Sequence, residues 1–175
     1  SLSFLIPFYF INSNITPFIN PNYLIIMILC NLIIGVFNFR KKAICFVGDV
    51  GSITMGFVYA SLAILLMIKT NTLNPVILFV VYGVDAGCTI LQRLVAKENI
   101  FLPHRKHLYQ LLVNELGLSH LLVSFIMISL QVFINIIWII YYFEEQSVFF
   151  LVSVIFILSI IYVLIKKNVL KKITI

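Results

Sequence analysis

Charged side chains are scarce in this sequence. Only 10% of its 175 residues are Asp, Glu, Lys or Arg, whereas a typical soluble domain has roughly 25%. Apolar residues make up 62%, and the mean hydropathy is +1.14. These values exclude a soluble globular domain and a disordered chain. The 12 basic residues are also too scattered between apolar runs to follow a phosphate backbone, so nucleic acid is not an expected partner.

Cysteine is equally sparse. The three cysteines, Cys30, Cys45 and Cys88, are widely spaced and form no C-x-x-C pair. An odd number at such spacing provides neither a disulfide framework nor a cysteine metal site.

Long apolar runs dominate the sequence instead. About 20 helical residues are needed to cross the hydrocarbon core of a membrane, and five stretches are long enough or nearly so. They are Asn22–Phe39, Ile53–Ile68, Pro75–Ala96, Ser119–Phe143 and Gln146–Ile165. We therefore predict an all-α fold, a polytopic membrane helix bundle with about five full transmembrane helices.

The opening stretch, Leu2–Ile11, is apolar but only about half as long as a span. It follows Ser1 directly, with no initiator Met and no basic region of the kind that opens a signal peptide. We interpret it as the end of a helix cut by the boundary of the chain. The expectation is one integral membrane domain over residues 1–175 that forms the C-terminal part of a larger protein.

The basic residues predict the orientation. Three groups follow the first, third and fifth stretches, and they are Arg40 to Lys42; Arg93, Lys97, Arg105 and Lys106; and Lys166, Lys167, Lys171 and Lys172. Alternate connections share a side of the membrane, so only Lys69 lies on the other side, with Glu144 and Glu145. The positive-inside rule then places the basic connections and the C-terminus in the cytoplasm.

The first cytoplasmic connection ends in Gly48-Asp49-Val50-Gly51-Ser52. Two glycines flank a carboxylate, which allows a tight turn and the close approach of a ligand. A helix that starts here exposes N–H groups that attract anions. Asp49 or Ser52 could be an ordinary N-cap of that helix. The alternative is that the Asp49 carboxylate binds Mg²⁺ beside a phosphate.

The second cytoplasmic connection contains His104-Arg105-Lys106-His107 directly after Pro103. If Pro103 starts a helix, the two histidines share a face. Two histidines at this spacing could bind zinc, but no further ligand completes a site. A basic loop rich in imidazole is better suited to a phosphate-bearing substrate. A plain positive-inside loop is the other interpretation.

Asp85 lies near the middle of the third stretch. An ionisable group is costly at that depth and is a functional candidate by default. A buried structural hydrogen bond would explain it equally well.

Together these motifs resemble those of the polyprenyl-phosphate sugar-1-phosphate transferases, glycosyltransferase family 4, which include the phospho-N-acetylmuramoyl-pentapeptide transferase. Phe46-Val-Gly-Asp-Val-Gly-Ser52 resembles the family's F-M-G-D-x-G-S signature. The stretch with Asp85 and Arg93 resembles its D-T…R-R helix, and Pro103-His-Arg-Lys-His-Leu-Tyr-Gln-Leu-Leu112 resembles its P-D-R-x-H-I-H-H-R-L loop. The order of the motifs and their predicted cytoplasmic placement agree, and the resemblance covers roughly residues 22–140.

The resemblance implies a reaction in the inner, cytoplasmic membrane of a bacterium. An N-acetylated amino sugar 1-phosphate would pass from a UDP-sugar to undecaprenyl phosphate, which initiates a cell-envelope polysaccharide of the O-antigen or capsule type. The implied cofactor is Mg²⁺, with Mn²⁺ as an alternative ion, and the implied metal ligand is Asp49. Catalytic roles fall on Asp49, Arg105 and His107. The remaining implied substrate-binding residues are Gly48, Gly51, Ser52, Asp85, His104 and Lys106.

The chain also departs from the family. His104 stands where the family often has Asp, and Tyr109 and Gln110 stand where it has a pair of histidines. The family's acidic motifs, D-D-x-x-D and N-x-x-D-G, do not occur in this sequence. We therefore expect the chain to be the C-terminal half of such a transferase and to be inactive alone. A transporter or flippase subunit and an assembly partner are the alternatives, and the oligomeric state, a homodimer included, is left open.

Overall fold

A computed structural model of the chain describes residues 1–40, 44–45, 47–102, 104–142 and 148–173. These residues form α-helices and no β-strand, which confirms the predicted all-α fold. The helices are α1 (Leu2–Asn14), α2 (Pro21–Asn38), α3 (Gly48–Thr70), α4 (Val80–Val95), α5 (Leu108–Asn114), α6 (His120–Ile137) and α7 (Val148–Ile173). A 3₁₀ segment, Asn74–Phe79, leads into α4, and a π-helical turn, Trp138–Tyr142, continues α6.

Within the described residues, five helical segments are long and apolar enough to cross a membrane. They are Pro21–Asn38, Gly48–Thr70, Asn74–Val95, His120–Tyr141 and Val148–Lys171. They confirm the prediction of a multi-pass membrane protein. Many large apolar side chains on them are exposed, such as Phe57 at 73% and Phe149 at 87%. A surface of this kind is unsuited to water but compatible with lipid.

The bounds of two helices differ from the predicted ones. Helix α3 begins at Gly48 rather than Ile53, so the glycine-rich motif forms its first turn. Helix α7 continues to Ile173, although the apolar stretch ends at Ile165. Lysine and leucine are good helix formers, and lysines favour the end of a helix where carbonyl groups are exposed. The predicted span ends at 143 and 146 lie outside the described residues, as do residues 41, 42, 144 and 145.

The helices divide into two compact units. The first comprises Ser1–Leu78 and Gln131–Val148. Its interior is apolar, and its fully buried side chains include Leu5, Phe8, Ile11, Leu24 and Leu66. The ring of Phe4 meets the ring of Tyr59 edge-on at 5.9 Å, and the Tyr59 hydroxyl donates to Asn31 Oδ1 at 3.1 Å.

A buried polar network in the first unit compensates for a proline in α1. Because Pro7 has no N–H, the Ser3 carbonyl has no donor four residues along the helix. Asn135 Nδ2 donates to that carbonyl at 2.9 Å. Gln131 Nε2 in turn donates to Asn135 Oδ1 at 2.7 Å and to the Ile77 carbonyl at 2.9 Å. The network satisfies backbone oxygens that neither lipid nor water would reach.

This network predicts a rescue. Asn135→Leu is expected to destabilise the chain by about 1–3 kcal/mol, because the Ser3 carbonyl stays buried without a donor. Adding Pro7→Ala restores an N–H to α1, so the double variant should recover part of the loss. Thermal unfolding in detergent measures both effects, with Asn14→Leu as an exposed control. A double variant no more stable than Asn135→Leu would contradict this explanation of the network.

The second unit comprises Phe79–Leu130 and Phe149–Ile175. Its interior includes Val84 of α4, Leu108 of α5, Val123 of α6 and Leu158 of α7. Among the described residues of this unit, three side chains that carry a formal charge are buried with these apolar residues, and they are Asp85, Arg93 and Lys166. All three bond to the connection between α4 and α5 or to the start of α5, where the predicted phosphate-binding residues lie.

Candidate active site

Arg93, at the end of α4, organises the connection that follows it. Its side chain is only 5% exposed, and its guanidinium donates to Glu98 Oε2 at 3.2 Å. The same guanidinium donates to the carbonyls of Ile100 and Leu102, each at 3.2 Å, and to the carbonyl of Asn99. A planar fork with five N–H donors suits this task. Arg93 is therefore occupied in holding the loop.

Asp85 fixes the far end of the same connection. The carboxylate is buried, and its Oδ1 accepts the backbone N–H of Leu108, the first residue of α5, at 2.9 Å. The hydroxyl of Thr89 donates to the same oxygen at 3.4 Å, and His107 Nδ1 lies 3.6 Å from it. The structure thus shows the buried hydrogen bond that the sequence left open as one explanation. Asp85 therefore fixes the start of α5 by a hydrogen bond and lies next to the His107 ring.

The two histidines of the loop lie together, but not on a helix. Helix α5 begins at Leu108, so His104 and His107 precede it and do not share a helix face; Pro103 itself lies outside the described residues. Their ring centroids are nevertheless 4.9 Å apart, and the ring of Tyr109 stacks on His107 at 5.8 Å. The backbone N–H of His107 donates to Gln110 Oε1 at 3.3 Å. The loop thus presents three aromatic rings side by side.

The cations of the loop differ in their partners. Glu98 bonds to both Lys106 and Arg93, and these two bonds hold the pKa of its carboxyl below the usual value. Glu98 is therefore ionised at neutral pH and offsets part of the positive charge. Arg105 is exposed, and within the described part of the chain its guanidinium has no hydrogen-bond partner. Arg105 therefore remains available to a ligand, as does Lys97 at the other end of the connection.

Burial changes the pKa of two ring side chains in this part of the chain, His104 and Tyr109. Partial burial, with the charge of Arg93 as the second cause, lowers the pKa of His104. His104 is therefore a neutral imidazole at pH 7 and adds no charge to the loop. Burial, followed by the charge of Asp85, raises the pKa of Tyr109, so its hydroxyl keeps its proton. Both side chains can hydrogen-bond to a phosphate, and Arg105 supplies the permanent charge.

Asp49 lies in the first turn of α3, and the N-cap interpretation of this motif is wrong. The N-cap residue is Val47, without a side-chain cap, and Ser52 Oγ donates back to the Gly48 carbonyl at 2.8 Å. Gly48 has φ +68°, a conformation that favours glycine. A Cβ at Gly51 would lie 2.3 Å from the Val47 side chain. The local backbone and packing therefore explain why glycine stands at both positions. Residue 46 of the motif lies outside the described residues.

The Asp49 carboxylate fits one mode of magnesium binding. It is exposed and has no hydrogen-bond partner among the described residues. Mg²⁺ is often held by one or two carboxylates while waters and substrate phosphates complete its shell. In the described residues, no three or more His, Cys, Asp or Glu side chains lie close enough together to bind a metal ion. An all-protein metal cage, including a zinc site built on His104 and His107, therefore has no support in the described ranges.

The predicted site residues fall into two sets, one in each unit. Gly48, Asp49, Gly51 and Ser52 belong to the first unit, whereas Asp85 and residues 104–107 belong to the second. The structure brings the members of each set together. Comparisons of the chain with protein-family models, curated proteins and solved structures found no match. The family resemblance therefore rests on the motif residues of this sequence.

Sequence reasoning missed one part of the second unit. Lys166 of α7 is only 6% exposed, and its ammonium donates to the Lys106 carbonyl and to the Tyr162 hydroxyl, each at 2.7 Å. Tyr162 also shares a hydrogen bond of 2.7 Å with Thr89, which bonds to Asp85. The tyrosine and the lysine are four residues apart and so share a helix face. That spacing was the available signal, but the lysine resembled an ordinary flanking residue.

Proposed function

We propose that this chain carries the phosphate-binding loop of a polyprenyl-phosphate sugar-1-phosphate transferase. The reaction is transfer of an N-acetylated amino sugar 1-phosphate from a UDP-sugar to undecaprenyl phosphate in the bacterial inner membrane. The observation that supports it is the loop of the second unit. An available Arg105 and the ring of His107 belong to that loop, and buried Asp85 and Arg93 hold the loop in place.

The loop supplies binding and charge stabilisation. Arg105 would bind the diphosphate oxygens of the nucleotide sugar, since a guanidinium pairs with two phosphate oxygens at once. The Nδ1 atom of His107 lies on the side of Asp85, so Nε2 is the ring atom left for the substrate. Lys106 is half-exposed and His104 is partly buried, and both would add contacts to the nucleotide sugar.

The proposed transfer needs little proton chemistry. An oxygen of the lipid phosphate attacks the phosphorus that carries the sugar, and the bond from that phosphorus to the UMP oxygen breaks. UMP leaves with the bonding electron pair, and Arg105 and His107 stabilise the charge that develops on it. The attacking phosphate is already ionised at neutral pH. Positioning therefore supplies much of the rate. Mg²⁺, or Mn²⁺ as an alternative, would neutralise diphosphate charge when bound by Asp49.

The membrane setting suits this reaction. Five apolar spans would hold the protein where a polyprenyl carrier is dissolved. In the proposed orientation, the positive-inside rule places the first turn of α3 and the loop of Arg105 and His107 on the cytoplasmic side. UDP-sugars would then reach both predicted sets of residues from the same compartment.

A transporter or flippase subunit is the second candidate, and one observation favours it. Asp85, Thr89, Tyr162 and Lys166 form a hydrogen-bonded chain within two of the helical segments that could cross a membrane. Ionisable groups inside a membrane often mark an ion or substrate path. A transporter, however, gives no role to the exposed Asp49 or to Arg105. The two functions differ in whether these residues are needed for turnover of a UDP-sugar.

Replacing His107 by alanine tests the transferase. We expect kcat/KM for the UDP-sugar to fall by about 100-fold, because a group that stabilises transition-state charge is lost. The assay follows labelled sugar in membranes from cells that express the intact gene product. His120→Ala is the matched control, since His120 is an exposed imidazole at the start of α6. If KM and turnover of His107→Ala both equalled those of the control, the proposed role of the loop would be wrong.

A further inference from the structure

Two cavities in the second unit share the buried ammonium of Lys166. The first has a volume of about 380 Å³ and is lined by Gln92, Lys106, Leu111, Lys166 and Leu170, among others. The second, of about 440 Å³, shares Gln92, Lys166 and Leu170 with the first and therefore lies next to it. Both volumes fall in the range of small-molecule sites.

Lys166 forms no direct ion pair among the described residues. Its ammonium has three donors, and two of them are used by the neutral oxygens of Lys106 and Tyr162. In the part of the chain that the structure describes, no carboxylate lies within ion-pair distance of Lys166; Glu98 pairs with Arg93 and Lys106, and Asp85 lies beside His107. Within the described ranges, Asp85 is linked to Lys166 only through Tyr162 and Thr89, and a buried ammonium without a direct ion pair is stabilised when an anion binds beside it. The side chain therefore points to an anion as ligand.

The neighbouring cations reinforce this assignment. Lys167 and Lys171 are exposed, lie four residues apart on α7, and line the second cavity with Lys166. Neither forms an ion pair among the described residues. Glu98, the one carboxylate that lines the first cavity, is already shared by two cations. The two neighbouring cavities thus have an excess of positive charge in their linings.

The walls of the cavities indicate what carries the anion. Leu111, Val163 and Leu170 contribute apolar surface beside the lysines. About 20 helical residues from Val148 cross a hydrocarbon core, so Lys166 lies where α7 leaves it. An apolar wall that meets lysines at this depth matches an amphiphile whose chains stay in the membrane while its headgroup meets the ammonium groups.

We propose that these cavities bind the phosphate headgroup of an anionic membrane lipid, with Lys166 as its buried contact. Basic pockets between membrane helices are suited to such headgroups. Free phosphate shares the headgroup chemistry but would make no use of Leu111, Val163 and Leu170. The central contact, Lys166, belongs to no transferase motif, although Arg93 and Lys106 also line the first cavity. The second cavity contains none of the proposed substrate-binding residues, so it can be tested separately from the transferase.

Lipid retention tests the proposal on the full chain in detergent. Native mass spectrometry is run after addition of phosphatidylglycerol or phosphatidylcholine, and we expect the anionic lipid to stay bound while the zwitterionic one is lost. Lys166→Met should weaken phosphatidylglycerol binding at least about fivefold, the effect of one cation near an anionic headgroup. Lys166→Arg, which keeps the charge, should restore binding, and Lys69→Gln of α3 should leave it unchanged.

Three results would overturn the proposal. They are equal retention of the two lipids, unchanged binding by Lys166→Met, and displacement of the lipid by inorganic phosphate at equal concentration. Thermal unfolding reports whether each variant folds. If Lys166→Met fails to fold, the exposed pair Lys167→Gln and Lys171→Gln provides the same test, since both lysines line the second cavity. The double variant should then bind phosphatidylglycerol about 25-fold more weakly than the wild type, and unchanged binding would contradict the site.

Discussion

Replacing Asp49 with asparagine is expected to lower the turnover of sugar-1-phosphate transfer by about a thousandfold. Asparagine keeps the size of the side chain but removes its charge, and with it the ligand that we propose for Mg²⁺. A metal ion typically contributes several kcal/mol of charge stabilisation to the transition state, and about 4 kcal/mol corresponds to a thousandfold. The fold should survive, because Asp49 is exposed and has no hydrogen-bond partner among the described residues.

The measurement is a Mg²⁺ titration of transfer by the intact gene product in membranes. Wild-type turnover should rise with Mg²⁺ and saturate, whereas Asp49→Asn should show little response over the same range. Glu115→Gln is the matched control, because Glu115 is also an exposed carboxylate but lies at the end of α5. Near-normal, Mg²⁺-dependent turnover of Asp49→Asn would remove the metal-ligand assignment while leaving the test of His107 intact.

The spans could be predicted from the sequence because they depend on a local property. Twenty consecutive apolar residues have few alternatives to a membrane helix, so all five stretches appear as helical segments. The ends of the helices were harder to predict. Lysine at position 166 resembles the end of a span, yet its ammonium is buried and bonds to the Lys106 carbonyl and the Tyr162 hydroxyl. The first of these partners is 60 residues away in sequence, and no local pattern encodes it.

The polar character of the candidate loop could be predicted from the sequence, but the contacts that hold the loop in place could not. Histidines and cations between two apolar stretches identify a polar loop wherever it folds. That Asp85 would reach the N–H of Leu108, 23 residues later, depends on how the loop returns to α4. The sequence offered two explanations for a carboxylate in a span, and only the contact distinguishes between them. The same holds for Arg93, whose four acceptors all come from residues 98–102.

Removing Asp85 is the second change with a large expected effect. Asp85→Leu leaves the buried N–H of Leu108 without an acceptor and removes the carboxylate beside His107, so we expect a loss of about 2–4 kcal/mol in stability. Transfer should fall by about 100-fold in kcat/KM, since a displaced His107 no longer meets the leaving group. Asp85→Asn keeps an oxygen for the Leu108 N–H and should retain most of the stability.

A double-mutant cycle separates positioning from mere loss of stability. If Asp85 acts through His107, then Asp85→Asn should cost little further activity once His107 is alanine, so the two effects on kcat/KM are not additive. Hydrogen exchange supplies a second readout: the Leu108 amide should be protected in the wild type and in Asp85→Asn but exchange rapidly in Asp85→Leu. Additive losses in the cycle would mean that Asp85 stabilises the unit without positioning His107. Protection of Leu108 in the leucine variant would mean that the hydrogen bond to Oδ1 does not hold the start of α5.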